Sequence, residues 1–294
     1  MPAYLAEIVA AHRRRAADDR RDVDDLVRRA AASPAPAGFR SALEIAARSG
    51  EHGGGLAVVA EVKRRSPSKG ELAPGLDAAS VADDYAAGGA TCVSVLTDAD
   101  YFGGSPEDLV AAKRAVGIPV LRKDFTVSIA DVCDARLMGA DALLLIVAAL
   151  GDDELSELLG MSRRVSLDAL VEVHDEEELA RALALGADLV GVNQRDLTTF
   201  EVDPHRAGRL VRRIPDEVVA VAESGIGGPE DARRLAAAGF DAVLVGEALV
   251  TAPDRRAAVG ELTGYPVRPR TRDADGGVRH ARTTGLTRAR TGSP

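Results

Sequence analysis

Short apolar segments alternate with amphipathic stretches along most of the chain, beginning at Leu56. Segments this apolar are typical of strands buried on both faces, as in a parallel sheet. The stretches between them repeat apolar residues at helical spacing. The pattern therefore predicts eight strands joined by helices, at Leu56–Val62, Thr91–Leu96, Ile118–Leu121, Ala142–Val147, Leu167–Val173, Leu189–Val192, Val218–Ala222 and Ala242–Val245.

A triplet that begins with glycine lies before every second predicted strand. The triplets recur about every fifty residues, the usual length of two βα units, and glycine suits the end of the preceding helix. Four such double units would close a (β/α)8 TIM barrel. An open doubly wound sheet is the main alternative, but it normally has fewer strands and needs a glycine-rich dinucleotide loop that we do not find. The triplets are Gly89-Ala90-Thr91, Gly139-Ala140-Asp141, Gly186-Ala187-Asp188 and Gly239-Phe240-Asp241.

The two ends of the chain do not follow this alternation. Residues 4–32 and 39–48 have helical patterns, separated by the breaker Ser33-Pro34-Ala35-Pro36. After Leu262 the chain is rich in Arg, Gly, Thr and Pro, with too few large apolar residues to offset chain entropy. We therefore expect three parts: a helical extension at 1–55, a barrel at 56–262, and a basic, disordered tail at 263–294.

Charge and composition exclude several classes of function. The net charge of −9 and the pI near 5.2 argue against a general nucleic-acid binder, and 3% aromatic residues leave little for stacking on bases. No apolar run is long enough to span a membrane, and the N-terminus becomes charged at His12-Arg13-Arg14-Arg15 without an apolar signal core. We expect a cytoplasmic protein, and nothing in the sequence requires more than a monomer.

Cysteine and histidine give no sign of a metal site. Cys92 and Cys133 are too few for a disulfide framework or a zinc site and are predicted to be buried thiols. The five histidines lack the spacing of metal ligands. We therefore expect neither a metal nor another cofactor.

Polar residues gather at the carboxyl ends of the predicted strands, where a TIM barrel has its active site. Side chains alternate along a strand, so Glu61 and Lys63 are predicted to point together into the barrel mouth. Such charges are costly unless they pair or meet a charged ligand, and a purely structural ion pair stays an alternative. By the same alternation, the inward set also includes Lys123, Glu172, Asn193 and Arg195.

Glycines after the last two strands indicate a phosphate site. Ser224-Gly225 follows strand 7 and Gly246-Glu247 follows strand 8. Glycine lets backbone N–H groups approach a phosphate beside a helix N-terminus, and the loops after strands 7 and 8 are the common place for this in TIM barrels. The polar loop Ser66–Gly70 after strand 1 is predicted to close over the phosphate.

The sequence resembles the indole-3-glycerol-phosphate synthase family over residues from about 4 to 262. In that family the N-terminal helices cover the barrel top, so the resemblance implies the same for residues 1–55. The motifs that carry the resemblance are residues 60–70, 94–98, 101–105, 119–125, 170–174, 191–197 and 222–226.

The resemblance implies a reaction and a role for each residue. The substrate is 1-(2-carboxyphenylamino)-1-deoxyribulose 5-phosphate, and the products are indole-3-glycerol phosphate, CO2 and water. Lys123 is implied as the general acid at the ribulose carbonyl, Lys63 as the group that holds the departing carboxylate, and Glu172 as the base in dehydration. Glu61 supports Glu172, while Asn193 and Arg195 orient the intermediate. The phosphate grip is implied to be Ser66, Ser224, Gly225, Gly246 and Glu247, and the lining of the anthranilate pocket to be Phe102 and Phe125.

Three features depart from the family pattern. Gln194 lies where the family often has Asn or another small polar residue, and Ala130-Asp131 replaces the usual Tyr-Gln after strand 3. The basic tail is not part of the family core. None of these removes a group to which the resemblance gives a catalytic role.

Three other functions remain open from the sequence. A phosphoribosylanthranilate isomerase would use a Cys and an Asp at strand ends, but Cys92 lies inside predicted strand 2. A catalytically silent paralogue with a binding or scaffold role would keep the fold, although the complete set of polar residues argues against it. Nucleic-acid binding through the arginines of the tail would give a salt-dependent interaction with RNA.

Overall fold

The computed structural model describes residues 2–49, 54–67, 69–196, 199 and 201–270. Its eight long strands run parallel and close into a barrel in which each pairs with the next in sequence and the last pairs with the first. The predicted (β/α)8 fold is confirmed, with strand ends that differ from the predicted ones by at most two residues. The strands are β1 Ala57–Val62, β2 Cys92–Leu96, β3 Val120–Lys123, β4 Ala142–Ile146, β5 Asp168–Val173, β6 Leu189–Asn193, β7 Val219–Glu223 and β8 Ala242–Val245.

Helices surround the barrel and cover its ends. A two-stranded hairpin of Arg65–Ser66 and Gly70–Glu71, which the sequence did not predict, follows β1. None of the described helices is long and apolar enough to cross a membrane. The helices are α1 Ala3–Asp18, α2 Val23–Ala31, α3 Phe39–Arg48, α4 Ala78–Ala87, α5 Pro106–Ala115, α6 Ile129–Leu137, α7 Asp152–Arg164, α8 Glu176–Ala184, α9 Pro204–Val211, α10 Pro229–Ala238, α11 Glu247–Val250 and α12 Arg255–Gly260, with a 3-10 turn at Val147–Ala149.

Two aspartates of the glycine triplets fasten neighbouring strands at the bottom of the barrel, where the strands begin. Asp141, just before β4, accepts a 2.7 Å hydrogen bond from the Val120 amide at the start of β3. Asp241, just before β8, accepts one of 2.8 Å from the Ala220 amide in β7. Both carboxylates are buried. The repeat therefore supplies matching links between strands, besides ending the helices.

The N-terminal extension lies at both ends of the barrel. Leu5 and Ile8 of α1 line the cavity at the top, where the strands end. In contrast, α3 covers the bottom: the Arg40 amide donates to Asp168 at the start of β5, and Arg48 pairs with Asp241 at 3.0 Å. The expectation that the whole extension covers the top is wrong for α3, because its arginines pair with the carboxylates where the strands begin.

Residues 263–270 belong to the barrel structure, so the predicted start of a disordered tail at 263 is a misplaced boundary. The Leu56 amide donates to the Tyr265 carbonyl at 2.8 Å, and the Arg268 amide donates to the Ala236 carbonyl at 3.1 Å. The Arg270 side chain, 4% exposed, pairs with Asp241. This nonlocal ion pair could not be recognised from local composition. Residues 271–294 lie outside the described residues.

Replacing Arg270 with Ala should destabilise the barrel bottom. The change removes a buried guanidinium that also donates to the carbonyls of Pro215, Val218 and Gly239. We expect the free energy of unfolding, measured in urea, to fall by about 3 kcal/mol. Arg268→Ala is the control because residue 268 is exposed. Equal stability of the two variants would contradict a structural role for Arg270.

Candidate active site

A cavity of about 680 Å³ opens at the carboxyl ends of the barrel strands. Its floor carries charged side chains, one side is aromatic and aliphatic, and the opposite side is formed by glycine-rich backbone. All the site residues proposed from the sequence line this one cavity. They are Glu61, Lys63, Ser66, Phe102, Lys123, Phe125, Glu172, Asn193, Arg195, Ser224, Gly225, Gly246 and Glu247.

Lys123 occupies the floor between two carboxylates. Its Nζ lies 3.3 Å from Oε2 of Glu172 and also forms an ion pair with Glu223. These residues come from the ends of β3, β5 and β7, which the closed barrel brings together. Burial lowers the pKa of Lys123, but the negative charges of Glu223, Glu172 and Glu61 outweigh burial and raise this pKa above its usual value. The ammonium is therefore protonated at neutral pH and can act as a hydrogen-bond donor to a ligand in the cavity.

Glu61 and Lys63 form a second pair beside the first. Lys63 Nζ lies 2.7 Å from Glu61 Oε1, and the two side chains are 17% and 5% exposed. Gly246 lies directly against them: a Cβ at this position would be 2.5 Å from Glu61 Oε1 and 2.9 Å from Lys63 Nζ. A side chain at residue 246 would therefore push against the pair, which favours glycine here although φ is an ordinary −113°.

Glu223 is the functional candidate that the sequence reasoning missed. It ends β7 at the position paired with Asn193 in β6, and it is 2% exposed. Its Oε1 has no hydrogen-bond partner among the described residues and lies over Gly191, where a Cβ would come within 2.0 Å. A signal existed, because Glu223 alternates in phase with Val221 at the end of a strand, as Glu172 does in β5. The predicted strand stopped at Ala222, and Glu223 was left out.

The two carboxylates that share Lys123 differ in their protonation. Burial and the negative charges of Glu172 and Glu61 outweigh Lys123 and raise the pKa of Glu223 to about 7. For Glu172, burial also raises the pKa, but Lys123, His174 and Asn193 lower it below the ordinary value. Environments that push two neighbouring pKa values apart commonly separate an acid from a base.

Two side chains hold Glu172 in place. The Asn193 amide donates to Glu172 Oε1 at 3.0 Å, and His174 Nε2 lies 3.3 Å from the same oxygen. His174 Nδ1 is 3.0 Å from Glu178, and the two carboxylates raise the pKa of His174 to about 10 although burial opposes this. His174 therefore contacts Glu172 without itself lining the cavity.

The glycine-rich side of the cavity has an unusual backbone. Ser224 and Gly225 both have left-handed conformations, with φ of 64° and 68°. A Cβ at residue 225 would lie 2.3 Å from a Val202 methyl carbon, so only glycine fits. Gln194 donates to the Ser224 carbonyl at 2.8 Å. Gln194 thus fixes this turn from outside the cavity.

The hairpin after β1 reaches this side of the cavity. The Ser66 hydroxyl accepts the Lys69 amide at 3.2 Å, and Lys69 Nζ pairs with Glu247 at 2.7 Å. Glu247 is the first residue of α11, a short extra helix after β8. Such a helix beside the loops after strands 7 and 8 is a common phosphate site in TIM barrels.

The opposite side of the cavity is apolar. The rings of Phe102 and Phe125 lie 6.2 Å apart at an interplanar angle of 38°. Leu5 and Ile8 of α1 complete this side. Arg195 also lines the cavity, and its backbone amide donates to the Asn193 side chain at 3.0 Å.

The cysteines lie away from this chemistry. Both are buried and free, as predicted. The Cys92 thiol faces the Phe39 carbonyl of α3 at the bottom of the barrel, and burial raises its pKa. An isomerase that uses a cysteine as its acid or base at a strand end therefore finds no support in Cys92.

Comparison with known proteins adds independent information. The family model described as "Indole-3-glycerol phosphate synthase" matches residues 5–262. A protein of that name from Nocardioides sp. is 56% identical over 210 residues, covering 71% of this chain and 81% of the relative. One from Streptomyces griseus is 48% identical over 254 residues, covering 86% and 91%.

Among solved structures, thiamine phosphate pyrophosphorylase from Pyrococcus furiosus is similar with a TM-score of 0.55 and 20% identity. The match covers 70% of this chain and 93% of that one. At this identity the similarity supports the barrel fold alone.

A glutamate that titrates near neutral pH is expected in this cavity. In a 13C NMR titration of the glutamate carboxyl groups, one midpoint should lie at about 7 and disappear in Glu223→Gln. Lys123→Met removes a positive charge that favours the carboxylate, so the midpoint should rise further. Lys113→Met, at the barrel bottom, should leave it unchanged. A Glu223 midpoint near that of an exposed glutamate would refute the described environment.

Proposed function

Because the chain belongs to the indole-3-glycerol phosphate synthase family, which acts in tryptophan biosynthesis, we propose a specific reaction for it. In this reaction 1-(2-carboxyphenylamino)-1-deoxyribulose 5-phosphate is converted to indole-3-glycerol phosphate, with loss of CO2 and water. The observation that carries the proposal is the position of the Lys123 ammonium, at the floor between an aromatic side and a glycine-rich side of one cavity. The substrate has an aromatic end, a carbonyl near its middle and a phosphate end.

The substrate lies across the cavity with each end against matching chemistry. Its anthranilate ring packs on Phe102 and Phe125. Its phosphate binds the backbone at Ser224-Gly225 and Gly246-Glu247, and Ser66 contributes its hydroxyl. Backbone N–H groups before a helix suit a phosphate because they point at the ligand and carry partial positive charge. A ligand spanning the cavity in this way places its carbonyl over Lys123.

In ring closure, the anthranilate ring carbon that bears the carboxylate attacks the ribulose carbonyl carbon. The carbonyl π electrons move to oxygen, and Lys123 donates a proton there. The ammonium stabilises the developing negative charge more strongly in the transition state than in the ground state. Glu223 pairs with the ammonium and fixes its direction.

Decarboxylation follows because ring closure has broken aromaticity. The bond between the ring carbon and the carboxylate breaks, its electron pair restores the aromatic ring, and CO2 leaves. Lys63 binds the carboxylate until that point, and its pairing with Glu61 holds it in place. The step needs no electron acceptor outside the substrate.

Dehydration breaks the C–O bond of the hydroxyl group that ring closure created and removes a proton from the adjacent carbon, whose C–H electrons form the new double bond of the ring. The hydroxide and the proton leave as water, and Lys123 regains a proton from solvent. Glu172 is assigned as the base, since its lowered pKa keeps it ionised at neutral pH. Asn193 orients Glu172 by a direct hydrogen bond. Arg195, at the cavity wall, orients the hydroxyl groups of the intermediate, and Glu61 supports the proton transfer electrostatically.

Incubation of the purified protein with the carboxyphenylamino-deoxyribulose phosphate should give a product with indole absorbance and fluorescence. Lys123→Met should lower kcat by about a thousandfold or more, and Glu172→Gln by about a hundredfold, as expected for the loss of a general acid and a general base. Lys113→Met, a lysine outside the cavity, should keep kcat. Absence of the indole product with the wild-type protein would overturn the proposed reaction, and unchanged kcat in both site variants would overturn the assigned roles.

A substitution at Gly191 can test the position of Glu223 without removing any charged group from the chain, because Glu223 Oε1 lies directly over this glycine. Gly191→Ala places a Cβ where Glu223 Oε1 lies and should push this carboxylate away from Lys123. We expect kcat to fall by about a hundredfold, because small misplacements of reacting groups have effects of this size. Gly208→Ala in α9, where a Cβ meets no atom, is the matched control. A Gly191→Ala enzyme with normal kcat and an intact fold would show that the position of Glu223 is unimportant.

A further inference from the structure

Helix α1 carries a histidine on its buried face. The other buried residues of the helix are Leu5, Ile8 and Val9, so His12 continues an apolar stripe at helical spacing. His12 is only 8% exposed. A buried imidazole needs hydrogen-bond partners, and an apolar residue would satisfy the packing alone. The partners of His12 therefore indicate what it does.

His12 reaches two carboxylates at the ends of neighbouring strands. Its Nε2 lies 3.0 Å from Asp98 Oδ2, after β2, and 3.8 Å from Asp124 Oδ1, after β3. Both aspartates are buried. Burial raises the pKa of Asp98, but hydrogen bonds from His12 and from the Tyr101 amide outweigh it, so the pKa lies below its ordinary value. Asp98 is thus ionised at neutral pH and accepts from His12.

The same two carboxylates hold the backbone at Phe102 and Phe125, the two phenylalanines of the cavity. Asp98 Oδ1 accepts the amides of Tyr101 at 2.7 Å and Phe102 at 3.2 Å. Asp124 Oδ1 accepts the amide of Phe125 at 2.8 Å. The His12 ring also lies 5.3 Å from the Phe125 ring. One side chain of α1 thus contacts the carboxylates that fix Phe102 and Phe125.

We propose that His12 is a positioning residue that sets the two phenylalanine rings for the aromatic end of the substrate. It ties α1 to Asp98 and Asp124, and through them to the backbone that presents Phe102 and Phe125. The role in substrate binding rests on the proposed function. The role in holding the rings does not depend on it.

The same three side chains could instead bind a metal ion, since their ligand atoms lie within 4.8 Å of one another. Their oxygens are, however, already engaged. Asp124 Oδ2 accepts Arg122 at 2.9 Å and also the Thr97 hydroxyl, while both oxygens of Asp98 accept hydrogen bonds. Arg122 and His12 supply the hydrogen-bond donors that a divalent cation would have to displace. A hydrogen-bonded network therefore fits these residues better than a metal site.

His12→Val keeps the apolar stripe and removes the hydrogen bond. We expect KM to rise about tenfold, with kcat changed by less than about twofold, because the two phenylalanine rings contribute to substrate binding and transfer no proton. His12→Gln keeps a donor near the position of Nε2 and should recover most of the change in KM. Val9→Ala, on the same buried face, is the control for a loosened α1 and should leave KM close to that of the wild type.

Hydrogen exchange measures the positioning without any activity. Protection of the Phe102 and Phe125 amides should fall in His12→Val and stay normal in Val9→Ala. If the wild-type protein makes no indole product, the proposed reaction fails, while the exchange measurement still tests His12. If it does, an unchanged KM together with unchanged exchange in His12→Val would rule out the positioning role. If equilibrium dialysis finds one Zn²⁺ bound to the wild type and none to His12→Val, His12 is a metal ligand and the proposed positioning role is wrong.

Discussion

A buried ammonium held by two carboxylates from different strands is the interaction on which the rest of the site depends. Removing these charges from water is costly, and the cost is offset only if each has a partner in good geometry. Closure of the barrel provides this geometry, because it brings the ends of β3, β5 and β7 to a common floor. Asn193 then holds Glu172 by a hydrogen bond, and Gly191 leaves the space that Glu223 occupies.

Much of this arrangement follows from local patterns in the sequence. Strands buried on both faces are apolar throughout, which is why all eight could be located, and the alternation of side chains along a strand pointed Lys123 and Glu172 into the cavity. Glu223 was missed because the residues after Ala222 were interpreted as a glycine-rich phosphate loop, although Glu223 is the last residue of β7. An error of one residue at a strand end is small for a fold and large for a site, where the last residue of a strand carries the chemistry.

What the sequence could not reveal depends on contacts between distant parts of the chain. Arg270 looks like one more arginine of a polar tail, yet its side chain is buried against Asp241. Helix α3 has the same amphipathic pattern as a helix that covers the top, and only its pairing with Asp168 and Asp241 places it at the bottom. His12 likewise gives no local sign of its partners. Local composition does not encode such pairings.

Both ends of the barrel bury carboxylates against cationic side chains, but the charges are paired fully at the bottom and incompletely at the floor of the cavity. At the bottom, Asp241 meets two arginines and a backbone amide. At the floor of the cavity, the three carboxylates of Glu61, Glu172 and Glu223 share the ammonium groups of Lys63 and Lys123, and one Glu223 oxygen has no partner among the described residues. Burial, together with the negative charges of Glu172 and Glu61, raises the pKa of Glu223 to about 7. A third ammonium group in the floor would lower this pKa, so that Glu223 would be firmly ionised and could not exchange a proton near neutral pH.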